Sequence, residues 1–296
     1  MDAALRAYWD GVDAELAMTD VAPEIEPSRR LSSSAARVSL LRFTGIGHTR
    51  LTAYVSVPSG IGPFAGLLVT PRYGSVNYPP HPFDQERYVT LVLNHRGQRL
   101  SDVPWRAAYP GLLVEGIRDP RRYVMRAIAA DCLRALDLLA ARPEVDATHV
   151  GVTGGDLALV VAARRPSAVR ALALTEPLQL YRLADAAART DSYPWQELND
   201  ELRADPTARD AITATLRSFD LPGLAAEVRA RVLLPIGDPG SIGGPEWNWP
   251  LIEALGGRVE QLALTHFGAT DQDAADDWLS GQLGVPARPR GWQVAG

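Results

Sequence analysis

The chain contains no lysine: all 30 of its basic residues are arginines, and no run gathers them into a stripe. Against 35 acidic residues they leave a formal net charge of -5. That gives no electrostatic footprint for a phosphate backbone, so nucleic acid is not an expected partner. Cysteine is nearly absent too. The single Cys132 excludes an internal disulfide and any multi-cysteine zinc site. It lies in a helical run, 129–136, where a small buried apolar residue is the expectation. Long apolar runs are missing: no stretch reaches the roughly 18 residues of a membrane span. The first residues, MDAALRAYWDGVDAEL, are acidic and amphipathic without an apolar signal core, which predicts a cytoplasmic protein with no membrane partner.

What is present suffices for a large core. Hydrophobic residues make up 46% and charged residues 22% of 296 positions, the balance of a folded globular chain. Residues 1–35 read as a helix followed by a polar, Ser-rich connection. Val38–Phe43 and Leu51–Val57 alternate like paired strands around Gly45-Ile46-Gly47. Three runs of the buried parallel type follow at 65–69, 88–93 and 150–153, with a long helical pattern between the second and third, from Tyr123 to Ala141. Strand signals recur at 169–174, 232–236 and 259–264. Helical segments fall near 157–165, 195–203, 207–217 and 247–255. This alternation predicts an α/β fold: one domain spanning 1–296, with a mainly parallel central sheet covered on both faces and a helical excursion at 180–225 that could cap a site.

In such a sheet ligands bind beyond the carboxyl ends of the strands. The residues found there are Thr70 to Gly74, Asn94 to Gln98, Gly154-Gly155-Asp156, Gly237 to Gly240 and Thr265 to Gly268. The order Asp156, Asp238, His266 is the α/β-hydrolase order of nucleophile, acid and histidine. A nucleophile elbow needs small neighbours, and Gly154, Gly155 and Ala158 supply them. Gly-Gly-Asp after a strand is also the ordinary signature of a helix start, where Asp is favoured as a cap. Thr153, still on the strand, is a poor nucleophile.

Many ordered stretches resemble the acetyl xylan esterase and cephalosporin C deacetylase family of carbohydrate esterases. They begin with Tyr8-Trp9-Asp10, Phe43-Thr44-Gly45, Arg96-Gly97-Gln98 and Tyr109-Pro110-Gly111. They continue through Gly116 to Asp119, Tyr123, Asp131 to Ala135, Pro143 to Asp146 and Val152 to Gly155. Tyr193-Pro194, Glu197-Leu198, Phe219-Asp220, Gly237-Asp238 and His266 complete the set. The resemblance implies an α/β-hydrolase fold in which Asp238 orients His266 and His266 is the general base. It implies that the backbone N–H groups of Tyr73 and Leu157 form the oxyanion hole, and that Arg96 and Gln98 support the surrounding loops. It also implies a small-molecule substrate and assembly into a homo-oligomer, a hexamer in this family; no cofactor or metal is expected.

The chain departs from the family at one decisive place: Val-Thr-Gly-Gly continues as Asp156-Leu157-Ala158-Leu159, where the family has Ser-Gln-Gly-Gly. Either Asp156 occupies the serine position, or residues were deleted and Asp156 only caps a shortened helix. The histidine neighbourhood has drifted as well, with Phe267 in place of Glu. A carboxylate attacking an ester would give a mixed anhydride, so ordinary deacetylation is disfavoured. Three readings remain: Asp156 as nucleophile toward an sp³ carbon, Asp156 and His266 as an acid/base pair, or an inactive esterase-like binding or structural protein. In the last, Gly243 to Pro245 with Trp247 and Trp249 could line a pocket. Residual deacetylase activity is a fourth, weaker reading. Loops near 75–87, 100–120 and 180–200 would choose the substrate and carry no readable code.

Overall fold

The computed structural model describes residues 1–74, 77–265 and 268–290. The chain opens with helix α1 (Ala3–Met18), edge strand β1 (Glu24–Pro27) and the hairpin strands β2 (Ala36–Thr44) and β3 (Arg50–Pro58). Next come β4 (Phe64–Val69), the short α2 (Pro82–Arg87), β5 (Val89–Asn94) and the long α3 (Val124–Ala140). Strand β6 (Val145–Gly154) leads into α4 (Asp156–Arg164) and β7 (Ala171–Leu174). Four helices, α5 (Leu183–Ala187), α6 (Gln196–Ala204), α7 (Arg209–Arg217) and α8 (Leu221–Ala225), precede β8 (Arg231–Ile236). The described part ends through α9 (Pro245–Leu255), β9 (Val259–Ala263) and α10 (Gly268–Leu283).

The strands form one nine-stranded sheet in the order β1-β2-β3-β5-β4-β6-β7-β8-β9. Pairings from β1 to β5 are antiparallel, and those from β5 through β9 are parallel. Strands β4, β5, β7 and β8 are almost wholly apolar because both of their faces are covered, whereas β9 at the edge is not. One face of β6 carries Val150 and Val152 into the main core beside α3 and α4, while Gly151 on the other leaves room for α10. A Cβ at Gly151 would lie 2.7 Å from Leu283.

Residues from distant parts of the chain meet in one aromatic cluster. Trp9, fully buried, donates from Nε1 to the Ser218 carbonyl at 3.0 Å. Phe219 packs edge-on to Tyr8, Trp9 and Tyr123, and Tyr123 donates its hydroxyl to the Leu113 carbonyl at 2.7 Å. Helix α1 is thereby fixed to the sheet's main helical layer rather than appended to it.

Three elements differ from the sequence expectation, the first being the short helix α2, which lies in a stretch read only as a loop. The polar connection after α1 contains β1, whose four residues are all exposed, so no burial pattern marked it. Helix α10 was not foreseen, because its apolar stripe consists only of Ala275, Leu279 and Leu283 among acidic residues.

Arg96 and Asp131 form the main buried ion pair of the core. Nε and Nη2 of Arg96 donate to the two carboxylate oxygens at 2.9 and 2.7 Å, and Nη2 also reaches the Ile46 carbonyl at 3.0 Å. Burial raises the Asp131 pKa, and Arg96 opposes the rise. Arg96→Met should cost about 3–5 kcal/mol, because it strands a buried carboxylate. Replacing both partners, Arg96→Met with Asp131→Leu, should recover most of that loss in urea denaturation.

Candidate functional site at the strand ends

Strand β6 and helix α4 are separated by Gly155 alone. Positive φ is carried by Gly154, at +146°, where a Cβ would fall 1.9 Å from Thr70 Oγ1. At Gly155 a Cβ would lie 2.8 Å from the Pro177 carbonyl. These two glycines let the β4, β6 and β7 ends close on one another. Asp156 is the first residue of α4 and has no positive φ. In an elbow the strained residue is the nucleophile itself; here the strain sits two residues earlier.

The Asp156 side chain is buried, at 6% exposure. Oδ2 accepts from the Gln179 backbone N–H at 2.7 Å and Oδ1 from that of Tyr181 at 3.0 Å. Burial pushes the carboxyl up to about 6, with the backbone N–H groups of 179–181 pulling against it. The carboxylate therefore links the first turn of α4 to the chain leaving β7.

A cavity of about 60 Å³ adjoins it, lined by Tyr73, His95, Asp156, Leu157 and Glu176 among others. The structure thus brings Asp156 together with Tyr73 and Leu157. The Leu157 N–H lies in the first turn of α4, where backbone donors lack an intrahelical acceptor. The Tyr73 hydroxyl is buried without a partner. Asp238 follows β8, and its carbonyl accepts from the Ser241 N–H at 3.1 Å and hydroxyl at 2.7 Å. His266 and Phe267 lie outside the described residues. Arg96 makes the ion pair already described, and Gln98 accepts from the His95 N–H at 3.1 Å while donating to the Arg72 carbonyl at 3.2 Å. Thr153 shares a hydrogen bond with the Thr175 hydroxyl at 2.9 Å.

Two groups enter the site that sequence reasoning did not single out. Nδ1 of His95 contacts the Arg96 carbonyl, which can only accept, so that nitrogen carries the proton and Nε2 accepts from the Tyr109 hydroxyl at 3.1 Å. Burial lowers the His95 pKa to about 4, leaving the ring neutral with both nitrogens engaged. Glu176 follows β7 and accepts from Arg72 Nε at 2.9 Å, its side chain 27% exposed. Burial raises its pKa, and Arg72 partly offsets this. The strand-end rule, applied after 169–174 as it was after the other strands, would have found it. Among the described residues no group of three or more His, Cys, Asp or Glu converges as a metal site would require.

The sequence profile described as Acetyl xylan esterase (AXE1) matches residues 2–256. The chain belongs to the acetyl xylan esterase family. That match ends before β9 and His266. Among solved structures, an acetyl xylan esterase from Paenibacillus sp. R4 is similar with a TM-score of 0.81 at 20% identity, over 95% of each chain. Acetyl xylan esterase 1 from Thermoanaerobacterium sp. JW/SL YS485 gives 0.78 at 21%, over 95% of this chain and 94% of that one. A prolyl endopeptidase gives 0.60 at 16% identity, with 88% of this chain covering 39% of the other. These likenesses show the α/β-hydrolase fold. No described helix is long and apolar enough to cross a membrane.

The folded protein holds the Asp156 proton more tightly than an unfolded chain with the ordinary value of 3.8 does. Its contribution to stability is therefore fully present below about pH 4 and lost as pH rises through about 6. The stability of the wild type relative to Asp156→Asn should fall by something on the order of 3 kcal/mol between pH 4 and pH 7. Paired denaturation curves at several pH values would read it, and a flat difference would contradict this assignment.

Proposed function

We propose that this acetyl xylan esterase family member binds a small molecule at its strand ends without serine-type ester hydrolysis. The observation that carries this reading is the engagement of both Asp156 oxygens by backbone N–H groups. To attack an electrophile the carboxylate would have to leave those donors unpaired in a buried place, at about 1–3 kcal/mol each. Attack on an ester would still end in a mixed anhydride. A helical first-turn position also lacks the exposed, strained presentation that an elbow gives its nucleophile. The loops that framed the ester site persist, and with them the cavities.

One observation favours a second reading, in which Asp156 works as a general acid/base in a non-hydrolytic reaction. Its pKa of about 6 suits proton transfer near neutrality. This reading requires the 179–181 segment to release the carboxylate during turnover. Loss of substrate-dependent solvent-deuterium exchange in Asp156→Asn would identify it.

The test of the main reading is a panel of acetyl and p-nitrophenyl esters. Wild-type rates should lie about 10⁶-fold below those of an intact triad esterase, the cost of losing the nucleophile, with at most about 10³–10⁴-fold left over the uncatalysed rate. Asp156→Ser should gain nothing, because a serine at that position faces the 179–181 backbone. Turnover of about 1 s⁻¹ or more that disappears in His266→Ala would sink the proposal.

A further inference from the structure

A second cavity, of about 340 Å³, lies beyond the ends of β7 and β8 against α9. Its walls include Leu174, Leu178, Leu234, Ile242, Trp195 and Trp247, with Thr175 and Asn248 among the polar residues. An apolar cavity of about 150 Å³ already holds benzene, so this one admits an aromatic ring with a short side chain. An acetyl group would leave most of it empty.

The aromatic wall is held firmly. Trp247 meets Tyr181 edge-to-face at 6.2 Å, Arg182 lies over its ring at 4.3 Å, and its carbonyl accepts from the Tyr181 hydroxyl at 3.1 Å. Tyr181 is also the residue whose N–H holds Asp156. Trp249, by contrast, is 58% exposed and does not line the cavity. A fixed ring edge or face prefers an aromatic guest in offset or edge-on packing.

Glu176 lines both this cavity and the smaller one beside Asp156. As a carboxylate it only accepts hydrogen bonds, and Arg72 uses one of its roughly four lone-pair sites. Arg72 also balances its charge. A cationic guest would bring an uncompensated charge against apolar walls, and an anionic one would meet a carboxylate. A neutral donor suits both constraints.

We propose that this cavity takes a neutral aromatic alcohol or phenol, with the ring among Leu174, Ile242 and the two indoles and the hydroxyl donating to Glu176. The proposal rests on the binding reading above and names its ligand class.

The probe is 2-phenylethanol, titrated into the full chain while tryptophan fluorescence and melting temperature are followed. Ethylbenzene and 2-phenylethylammonium serve as comparators. Saturable quenching with a raised melting temperature is expected, about tenfold or more tighter than for ethylbenzene, the lower end of what a hydrogen bond to a charged acceptor contributes. The ammonium should bind more weakly than the alcohol. Glu176→Ala should erase the advantage of the alcohol while leaving ethylbenzene unchanged. Ile242→Trp should abolish binding of both, with Leu178→Phe as the second filling variant should the first fail to fold. Absence of saturable binding, or undiminished affinity in a folded filling variant, overturns the site. Equal affinity for alcohol and ethylbenzene in the wild type overturns the assigned chemistry. Ester turnover measured on the same preparation tests the non-hydrolytic reading separately, so either idea can fail alone.

Discussion

The two hydrogen bonds that Asp156 accepts from Gln179 and Tyr181 tie the first turn of α4 to the chain leaving β7, and the shape of the strand-end site depends on them. A carboxylate buried this deeply is tolerable only with donors around it. Two backbone N–H groups supply these, and the first-turn position adds the favourable end of the helix dipole. The arrangement that makes the charge tolerable also occupies it. Gly154 and Gly155 are its precondition: side chains there would collide with Thr70 and the Pro177 carbonyl, and the segment could not approach.

The family landmarks spread along the chain prove to be largely architectural. Tyr8, Trp9, Tyr123 and Phe219 meet in one aromatic cluster. Arg96 and Asp131 neutralise each other beneath the loop after β5. Glu197 accepts from the Leu113 N–H at 2.8 Å and joins α6 to the 112–114 turn. None of these contacts requires an ester substrate, so the scaffold does not depend on which residue stands at the end of β6. Fold and chemistry are separable here because different residues carry them.

Legibility followed burial. Strands β4 to β8 were readable because both faces are covered and the segments are almost wholly apolar; β2 and β3 were readable from alternation. Strand β1 was not, since an exposed edge leaves Glu24-Ile25-Glu26-Pro27 without a pattern. Helix α10 buries a narrow stripe, and its acidic residues masked the spacing of Ala275, Leu279 and Leu283. Tyr73 and Asp156 were nameable from their strand ends and Leu157 from the family resemblance, and the three share a cavity. The register of Asp156 was not legible. Gly-Gly-Asp describes a nucleophile elbow and a plain helix start equally well, and the difference lies in one glycine's dihedral and in donors some two dozen residues further on. The two tryptophans of α9 posed a similar ambiguity: their i, i+2 spacing puts them on different sides of the helix, one lining a cavity and one in solvent.

Polar groups near a working catalytic centre are commonly left frustrated, with shifted pKa values and capacity to spare for a transition state. At this site most are already satisfied within the protein. Asp156 is held by backbone, His95 by Tyr109 and the Arg96 carbonyl, Thr153 by Thr175, and Glu176 by Arg72. Satisfied groups contribute rigidity rather than reactivity, because any ligand must first displace a good internal partner. The walls where a guest would add contacts without displacing any are the apolar ones beneath Trp195 and Trp247. Glu176, which keeps lone pairs beyond the one Arg72 uses, stands where those walls meet the smaller cavity. On the proposed reading, recognition would draw on the ends of β7 and β8 rather than on the first turn of α4, one strand spacing across the same sheet edge.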